Sequence, residues 1–407
     1  MAGEWRPSTW GDEVTLEYGK AIRGYSPTHG KYRVFGSNGP IGWTSEALTQ
    51  GPGVILGRKG AYRGVEYCRD PFWVIDTAYY LAPKTELDMR WLYYAVKHYK
   101  LGEVDDGSPV PSTTRAAVYM LELDVPPKPE QRAIAHILGT LDDKIELNRR
   151  RNQTLEAMAR ALFKDWFVDF GPVRAKMEGR EPHMPADLWQ LLPERLDDEG
   201  KPEGWQNTTL ASFARLNPES WSKKNAPHEI GYVDLSNTKQ GTIEGAARIP
   251  WSEAPSRAQR ILRTGDTIVG TVRPGNKSFA LIGQEGMTGS TGFAVLRPLE
   301  KNHRDFVFLA ATSLENIERL TQLADGAAYP AVRPEVVLAT PVAAPNEELA
   351  DDVLRGFASS VSNWLDAIEH NKQESQTLAQ LRDTLLPKLI SGELRIADAE
   401  RFLEKRA

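Results

Sequence analysis

The stretch IELNRRRNQTLEA, residues 145–157, returns in altered form as IEHNKQESQTLAQ, residues 368–380. Six of the thirteen positions are identical and in the same order, namely I, E, N, Q, T and L. A sequence segment that recurs at a constant offset indicates a duplicated structural unit. The chain of 407 residues also exceeds the usual size of one hydrophobic core, so at least two domains are expected.

The similarity extends outward from these two phrases. The segment GVILGRKG, which begins at Gly53, parallels DTIVGTVRPG, which begins at Asp266. The helix-like DMRWLYYAV from Asp88 parallels DFVFLAATS from Asp305. Each half therefore consists of a globular block, a boundary marked by proline and a long helix. The predicted fold class is α+β, with two similar globular domains joined by two long antiparallel helices, a coiled coil with pseudo-twofold symmetry.

Prolines and acidic residues mark the predicted domain boundaries. Pro126, Pro127 and Pro129 end the first globular block, and Pro341 and Pro345 end the second. The predicted division is a first globular domain at 1–125, a first long helix at 126–172, an acidic, proline-rich connector at 173–204, a second globular domain at 205–344, and a second long helix at 345–396 followed by a tail to 407. A short helix is expected in the connector around Asp187.

Apolar residues recur every seven positions in both long helices, and this pattern predicts that each helix packs against a partner. The first stripe consists of Ile134, Leu141, Asn148, Leu155 and Leu162, flanked by Leu138, Ile145, Met158 and Trp166. The second consists of Phe357, Trp364, Asn371, Leu378 and Leu385, flanked by Val361, Ile368, Leu381 and Leu389. Antiparallel packing would bring Asn148 and Asn371 together, and we expect this pair to set the register of the coiled coil. In the alternative interpretation both asparagines are solvated.

Composition excludes several classes of protein. The single cysteine, Cys68, rules out an intramolecular disulfide framework and is typical of a reducing compartment. The N-terminus lacks the apolar segment of a signal peptide, and no apolar run reaches the roughly 18 residues of a membrane span. We therefore expect a soluble cytoplasmic protein. The formal net charge of −5 argues against a wholly basic nucleic-acid coat, but it leaves room for local basic faces.

Motifs for catalysis or metal binding are incomplete. GSNGPIG from Gly36 lacks the order of a dinucleotide-binding loop and the lysine of a phosphate-binding loop. DPFW from Asp70 resembles the signature of amino-methyltransferases but lacks its second proline. The seven histidines show no metal-ligand spacing. We therefore expect no catalytic residues, no metal and no cofactor on this chain, so that binding carries its function.

Cations beside glycine occur in corresponding loops of the two halves. The first loop carries Arg58, Lys59, Tyr62 and Arg63, and the second carries Arg273, Asn276, Lys277 and Ser278. Glycine lets a backbone approach a phosphate, while arginine and asparagine can read guanine and adenine edges through paired hydrogen bonds. Secondary candidates for DNA contact are Lys31, Tyr32, Ser37 and Asn38 in the first half, and Lys223, Lys224, Lys239, Tyr329 and Arg333 in the second. The alternative is that each loop is a solvated hairpin tip.

The chain resembles the specificity subunits of type I restriction-modification systems along nearly its whole length. The resemblance is strongest in PPKPEQRAIAHILGTLDDKIELNRRRNQTLEAMARALFKDWFVDFGPVRAK, residues 126–176, and in QTLAQLRDTLLPKLISGEL, residues 376–394. The phrases GDTIVGTVRPG and GSNGPIGW are similar to those of target-recognition domains. The resemblance implies two target-recognition domains that each read one half of a bipartite, asymmetric site in double-stranded DNA.

The same resemblance implies the partners. Two modification subunits would carry S-adenosylmethionine and methylate adenine, and restriction subunits would use ATP and Mg²⁺ to cleave DNA. The long helices would then be the docking surface for the modification subunits. Two other classes remain as alternatives: a self-sufficient DNA methyltransferase, and a coiled-coil scaffold that joins two protein-binding domains.

Overall fold

The computed structural model describes residues 5–105, 107, 109–181, 184–222, 224–246, 248–326, 328–396, 398 and 399. The chain divides into two compact units. Unit 1 comprises residues 1–147 together with 374–407, and unit 2 comprises residues 148–373. Both long helices contribute residues to each unit, whereas the domain boundaries expected from the sequence remain a prediction.

Unit 1 is built around two small sheets. Its elements are β1 (Arg6–Thr9), α1 (Trp10–Glu13), β2 (Val14–Tyr18), β3 (Tyr32–Gly36), β4 (Gly39–Thr44), β5 (Gly53–Gly57), β6 (Val65–Cys68), β7 (Phe72–Val74), β8 (Ala78–Pro83), α2 (Met89–His98), a 3-10 helix (Leu101–Glu103), α3 (Arg115–Tyr119) and β9 (Glu122–Val125). The four-stranded sheet has the order β2-β8-β5-β6 and the other has the order β4-β3-β7. A separate antiparallel pair, β1 with β9, joins the two ends of the block.

Long helices precede and follow the globular block of unit 2. The helices are α4 (Lys128–Phe167), α5 (Gly171–Met177), α6 (Ala186–Leu191), α7 (Arg304–Ala311), α8 (Leu314–Gln322), α9 (Pro334–Leu338) and α10 (Glu347–Ile390). The strands are β10 (Trp205–Thr209), β11 (Ala214–Leu216), β12 (Glu229–Val233), β13 (Thr238–Lys239), β14 (Thr242–Ile243), β15 (Arg248–Pro250), β16 (Ala258–Ile261), β17 (Thr267–Gly270), β18 (Phe279–Leu281), β19 (Met287–Ser290), β20 (Phe293–Pro298) and β21 (Pro341–Pro345). Short 3-10 helices lie at Leu210–Ser212, Trp251–Glu253, Pro274–Asn276 and Lys301–His303.

The two units repeat one topology, as the internal similarity predicts. The order β11-β20-β17-β18 in unit 2 matches β2-β8-β5-β6 in unit 1, and all neighbours in both sheets are antiparallel. In the other sheet, the parallel pair β12 and β19 corresponds to the parallel pair β3 and β7. The pair β10 and β21 corresponds to β1 and β9. The predicted α+β class is therefore confirmed.

Local sequence explains why the repeated elements begin where they do. Strands β5 and β17 are buried along their whole length, since each lies between two other strands, and apolar residues predominate in both. Helix α2 begins after Asp88, whose carboxylate accepts hydrogen bonds from the backbone N–H groups of Arg90 and Trp91, both at 3.0 Å. Ser313 caps α8 in the same way. Such caps stabilise a helix by about 1 kcal/mol each.

Each unit has its own hydrophobic core, to which both long helices contribute. In unit 1, Leu138 from α4 and Leu389 from α10 are buried in one cluster with Trp91 of α2. In unit 2, Phe167 from α4 lies against Phe357 from α10, with ring centroids 5.0 Å apart. Each such large apolar side chain contributes about 1.5–3 kcal/mol of burial energy.

The two long helices run antiparallel, as predicted. In unit 2, the amide of Asn152 in α4 donates to the carbonyl of Ile368 in α10 at 3.4 Å. Further along α4, Phe167 lies against Phe357, which precedes Ile368 in α10. Residue numbers therefore rise along one helix as they fall along the other.

The buried face of α4 departs from the predicted sevenfold stripe after its midpoint. Met158, expected beside the stripe, is 44% exposed, whereas Ala159 and Phe163, one and five residues later, are buried. An α-helix has 3.6 residues per turn, so its contact face drifts relative to a strict sevenfold repeat. The aromatic core of unit 2 covers this new face, so the prediction for Met158 is wrong.

The connector between the globular blocks is packed against unit 2. Helix α6 includes Asp187, which confirms the predicted short helix. Helix α5 was not predicted, and its Val173 is buried in the core of unit 2 together with Leu192. No helix within the described part of the chain is both long enough and apolar enough to cross a bilayer.

Candidate nucleic-acid interface

The two cation-bearing loops connect equivalent strands, β5 to β6 in unit 1 and β17 to β18 in unit 2. In each unit, the loop is hydrogen-bonded to a later segment of the chain. Equivalent backbone groups form these hydrogen bonds in both units. The N–H of Thr113 donates to the carbonyl of Arg58 at 2.9 Å, and the N–H of Val332 donates to that of Thr271 at 2.9 Å. Two residues on, the N–H of Gly60 donates to Pro111 at 3.0 Å, and that of Arg273 to Pro330 at 2.7 Å.

This register shows that the loops correspond but that their arginines do not. Arg58 occupies the position of Thr271, and Arg273 occupies the position of Gly60. Each unit therefore presents its guanidinium from a different point of the same backbone frame. The two loops have a shared scaffold and dissimilar surfaces.

In unit 1, two arginines lie against the ring of one tyrosine, Tyr18. The Arg58 guanidinium lies 5.0 Å from the ring centroid of Tyr18 and donates to the carbonyl of Asp76 at 2.9 Å. Arg115 lies 4.2 Å from the same ring and donates to the carbonyl of Leu16 at 2.7 Å. Tyr18 is 46% exposed, so this cluster of two cations and an aromatic ring reaches the surface.

Arg115 was missed by sequence reasoning. It follows the segment that pairs with the loop, and the pairing itself is invisible in the sequence. The neighbouring Tyr79 remains protonated, because burial, followed by the proximity of Tyr18, raises its pKa to about 12. Its hydroxyl donates to the carbonyl of Thr113 at 3.3 Å and so anchors the paired segment.

The remaining loop residues of unit 1 divide into structural and exposed groups. Arg63 donates to the carbonyls of Gly102 at 2.6 Å and Gly60 at 3.3 Å, so its guanidinium braces the loop. The Ser37 hydroxyl donates to Thr77 at 2.7 Å and accepts from the N–H of Lys59 at 3.1 Å. The side chains that reach solvent are Lys59 and Tyr62, the latter 80% exposed.

The segment before this loop carries only positive charge. Residues 18–45 contain Lys20, Arg23, Lys31 and Arg33 and no aspartate or glutamate. Lys31 is exposed and lies 5.1 Å from the ring of Tyr32, while Arg33 lies 4.5 Å from the ring of Trp43. Asn38 is exposed in the turn between β3 and β4. These residues suit phosphate contacts, because their cations attract the DNA backbone.

In unit 2, Arg273 is held by its backbone and by an aromatic ring. Its φ of 48° lies in the left-handed region, which a residue with a side chain adopts at a cost. Its guanidinium lies 4.7 Å from the ring of Tyr329 and donates to the carbonyl of Ala328 at 2.8 Å. Tyr329 is 69% exposed, and Arg333 is exposed at the start of α9. The structure thus brings Arg273 and Tyr329 together.

Lys239 and Lys277 line a groove of about 520 Å³ in unit 2. The N–H of Gln240 donates to the carbonyl of Lys277 at 2.8 Å and joins the two segments. Asn276 and Lys224 are exposed outside the lining of this groove. Lys223 lies outside the described residues.

The two predicted asparagines are neighbours in the helix pair. The amide of Asn148, which is fully buried, donates to the backbone carbonyl of Asn371 at 3.4 Å. The amide of Asn371 in turn donates to the side-chain oxygen of Asn152 at 2.8 Å. Asn152 was missed, although its position four residues after Asn148 places it on the same helix face. That this polar group sets the register remains a prediction.

Within the described ranges, no three or more histidine, cysteine, aspartate or glutamate side chains are grouped so that they could hold a metal ion. A charge network in unit 2 links residues of the fold. Glu219 forms ion pairs with Arg263, at 3.0 Å, and with Arg297, which also binds Asp266 at 2.9 Å. These contacts tie the segment that follows β11 to Arg297 of β20 and to the turn before β17.

Comparison with known proteins points to one family. Residues 11–157 match the family model described as the type I restriction modification DNA specificity domain. The chain is 26% identical over 332 residues to the type I restriction enzyme HindI specificity subunit of Haemophilus influenzae, a match that covers 70% of this chain and 71% of that protein. It is 23% identical over 342 residues to the MjaIX specificity subunit of Methanocaldococcus jannaschii, with 78% and 72% covered.

The fold agrees with these sequence matches. The crystal structure of a type I restriction-modification S subunit from M. genitalium aligns with a TM-score of 0.60 and 17% identity, covering 95% of this chain and 96% of that one. At this identity the likeness concerns the fold alone. Residues 11–157 thus match the specificity domain of type I restriction-modification systems, and most of the chain is similar to two type I specificity subunits.

Proposed function

We propose that the chain is the DNA-recognition subunit of a type I restriction-modification complex and reads a bipartite, asymmetric site, one half with each unit. Arg58, Arg115, Lys59 and Tyr62 form the reading surface of unit 1. Arg273, Asn276, Tyr329 and Arg333 form that of unit 2. The segment of residues 18–45, which lacks acidic residues and includes Lys31, Ser37 and Asn38, contacts the DNA backbone beside the first half-site.

One observation carries this proposal: the two units hold their cation-bearing loops in the same hydrogen-bond register but present different side chains from it. Arg58 and Arg273 stand two positions apart in that frame, and each lies on a tyrosine ring. A backbone arrangement that both units share, with dissimilar contact residues, suits a protein that reads two unlike half-sites. Arginine is the side chain best suited to paired hydrogen bonds with guanine.

Catalysis is assigned to partners. Two modification subunits would bring S-adenosylmethionine and methylate adenine, and restriction subunits would bring ATP and Mg²⁺ for DNA cleavage. The chain itself would bind no cofactor and would act in the cytoplasm. The helix pair α4 and α10, with its exposed flanks, is the expected docking surface for the modification subunits.

The test is to express the full chain with its modification subunit and to map the methylated adenines across a genome. We expect one motif in two parts, separated by a gap of fixed length and unspecified sequence. A contiguous motif, or the absence of any motif, contradicts the proposal. Binding of S-adenosylmethionine by the isolated chain would favour a self-sufficient methyltransferase instead.

A further inference from the structure

The groove of unit 2 is strongly basic. It lies between the β13–β14 hairpin, the β17–β18 loop and the portions of α4 and α10 that belong to this unit. Five cations line it, against the two acids Glu156 and Glu244: Arg149, Arg160, Lys239, Lys277 and Lys372.

The cations of the groove divide into those that hold the fold and those that face solvent. Arg160 forms an ion pair with Glu156 at 2.8 Å and donates to the carbonyl of Thr312 at 3.0 Å. Lys372 of α10 donates to the carbonyl of Gly241 and so fastens the hairpin to the helix. In contrast, the ammonium groups of Lys239 and Lys277 have no hydrogen bond or ion pair with any residue that the structure describes.

The backbone around these lysines is strained. Six non-glycine residues have a positive φ among those described, and three of them lie here: Gln240 at 44°, Arg273 at 48° and Lys277 at 58°. Each such residue costs on the order of 1 kcal/mol or more, and strain of this kind concentrates at functional sites. Glycine would adopt this conformation freely, so the strained lysine at position 277 supports a functional role for its side chain.

The groove also continues the proposed reading surface. Lys277 lies in the same loop as Arg273 and Asn276, so a duplex read by that loop passes its phosphates close to Lys277. Lys239 is held beside Lys277 through the 2.8 Å hydrogen bond from Gln240. Arg149, exposed on α4, also lines the groove.

We propose that this groove binds the DNA backbone beside the second half-site, with Lys239, Lys277 and Arg149 contacting phosphates. The inference rests on the proposed function and refines it: the first long helix contacts DNA directly in addition to joining the two halves of the chain. These contacts contribute affinity and carry no sequence information, because every phosphate is alike.

The test uses the complex of the full chain with its modification subunit and measures binding to two duplexes, one with the mapped site and one of equal length with that site scrambled. The variants are Lys239→Gln, Arg149→Gln and Lys277→Asn. We expect each to reduce the slope of log affinity against log salt by about 0.9, equally on both duplexes, with the methylated motif unchanged. Lys301→Gln, which removes an exposed cation outside the groove, is the matched control.

Two variants at position 277 serve as controls for correct folding. Asparagine and glycine both tolerate a positive φ, so Lys277→Asn and Lys277→Gly should retain the melting temperature of the parent while losing the phosphate contact. If the groove variants show the same slope of log affinity against log salt as Lys301→Gln, the assignment of the groove to phosphate binding is wrong. Loss of affinity confined to the cognate duplex also overturns it, since that result would assign these side chains to base reading. Failure of the proposed function is distinct, because the parent complex would then yield no split motif.

Discussion

At the residue scale, the candidate interface depends on arginines whose direction is fixed before any DNA arrives. Arg273 is set by a left-handed backbone, by the Tyr329 ring and by the carbonyl of Ala328. Only part of its guanidinium is used in this way, so donors remain for a base edge. Preorganisation of this kind lowers the entropy lost on binding.

Substitution of this arginine should affect one half of the recognised site. Arg273→Gln keeps a polar side chain but removes the paired donors, so we expect a loss of about 1–3 kcal/mol in discrimination at one base pair. Mapping of methylated adenines in cells that carry the variant should show a relaxed position in one half-site only. Uniform weakening of all sites, with the motif intact, would instead make Arg273 a phosphate contact.

The charge network around Glu219 gives a pH prediction. Hydrogen bonds from Arg263 and Arg297 lower the pKa of Glu219 to about 2, from an ordinary value of 4.5. A lowered pKa stabilises the fold above the ordinary value, and this stabilisation is lost as pH falls from 4.5 towards 2. Glu219→Gln should therefore lower the melting temperature at pH 6 and make it less sensitive to acid than that of the parent.

The control for the pH prediction is Glu300→Gln, at an exposed glutamate of the same unit. Its melting temperature should follow that of the parent between pH 6 and pH 3. Identical acid sensitivity of the Glu219→Gln variant and the parent would show that the network does not contribute to acid stability.

At the element scale, the sequence predicted the long helices and the repeated strands well, because their signals are local. The stripe that contains Asn148 and the apolar GVIL of β5 are visible in the sequence. The drift of the α4 contact face to Ala159 and Phe163 could not be predicted, since it depends on which aromatic residues of unit 2 cover the helix. The pairing of Arg58 with Thr113 joins segments distant in sequence, so the contribution of Arg115 was likewise hidden.

The corrected contact face can be tested with a pair of truncations. Phe163 is buried on the new face of α4, with its ring centroid 5.8 Å from that of Phe306 and 6.2 Å from that of Phe357. Phe163→Ala should therefore lower the free energy of unfolding by about 3–5 kcal/mol. Met158→Ala, at the exposed position, should change it by no more than about 0.5 kcal/mol. Chemical denaturation of both variants measures these changes. Equal losses of unfolding free energy would support the sevenfold stripe in α4 instead.

The asparagines give a prediction about the uniqueness of helix pairing rather than its strength. Leucine at Asn148 and Asn371 removes a buried polar group, so the double variant should unfold at an unchanged or higher urea concentration. Other helix registers then become accessible, and the transition should lose cooperativity, seen as a smaller dependence of the unfolding free energy on urea. A double variant that unfolds as sharply as the parent would remove the role of the asparagines in setting register.

At the scale of the whole molecule, duplication gives two units that share a topology but not a surface. The order of their four-stranded sheets is the same, and each unit buries its own core. Their charges differ, because the acid-free segment of residues 18–45 is found in unit 1, whereas unit 2 has its basic groove beside α4. The sequence predicted two recognition domains; it could not predict that the candidate phosphate contacts lie on different elements in the two units.

Two readers with separate cores should act independently, and a double-mutant cycle measures this. Arg58→Gln should relax one half of the motif and Arg273→Gln the other, each by about 1–3 kcal/mol. Because the two arginines belong to different units, the loss in the double variant should equal the sum of the single losses within about 0.5 kcal/mol. The measurement is binding of the complex to duplexes altered in one half-site or the other. A coupling energy well above 0.5 kcal/mol, or relaxation of the same half by both substitutions, would mean that the two units do not read DNA separately.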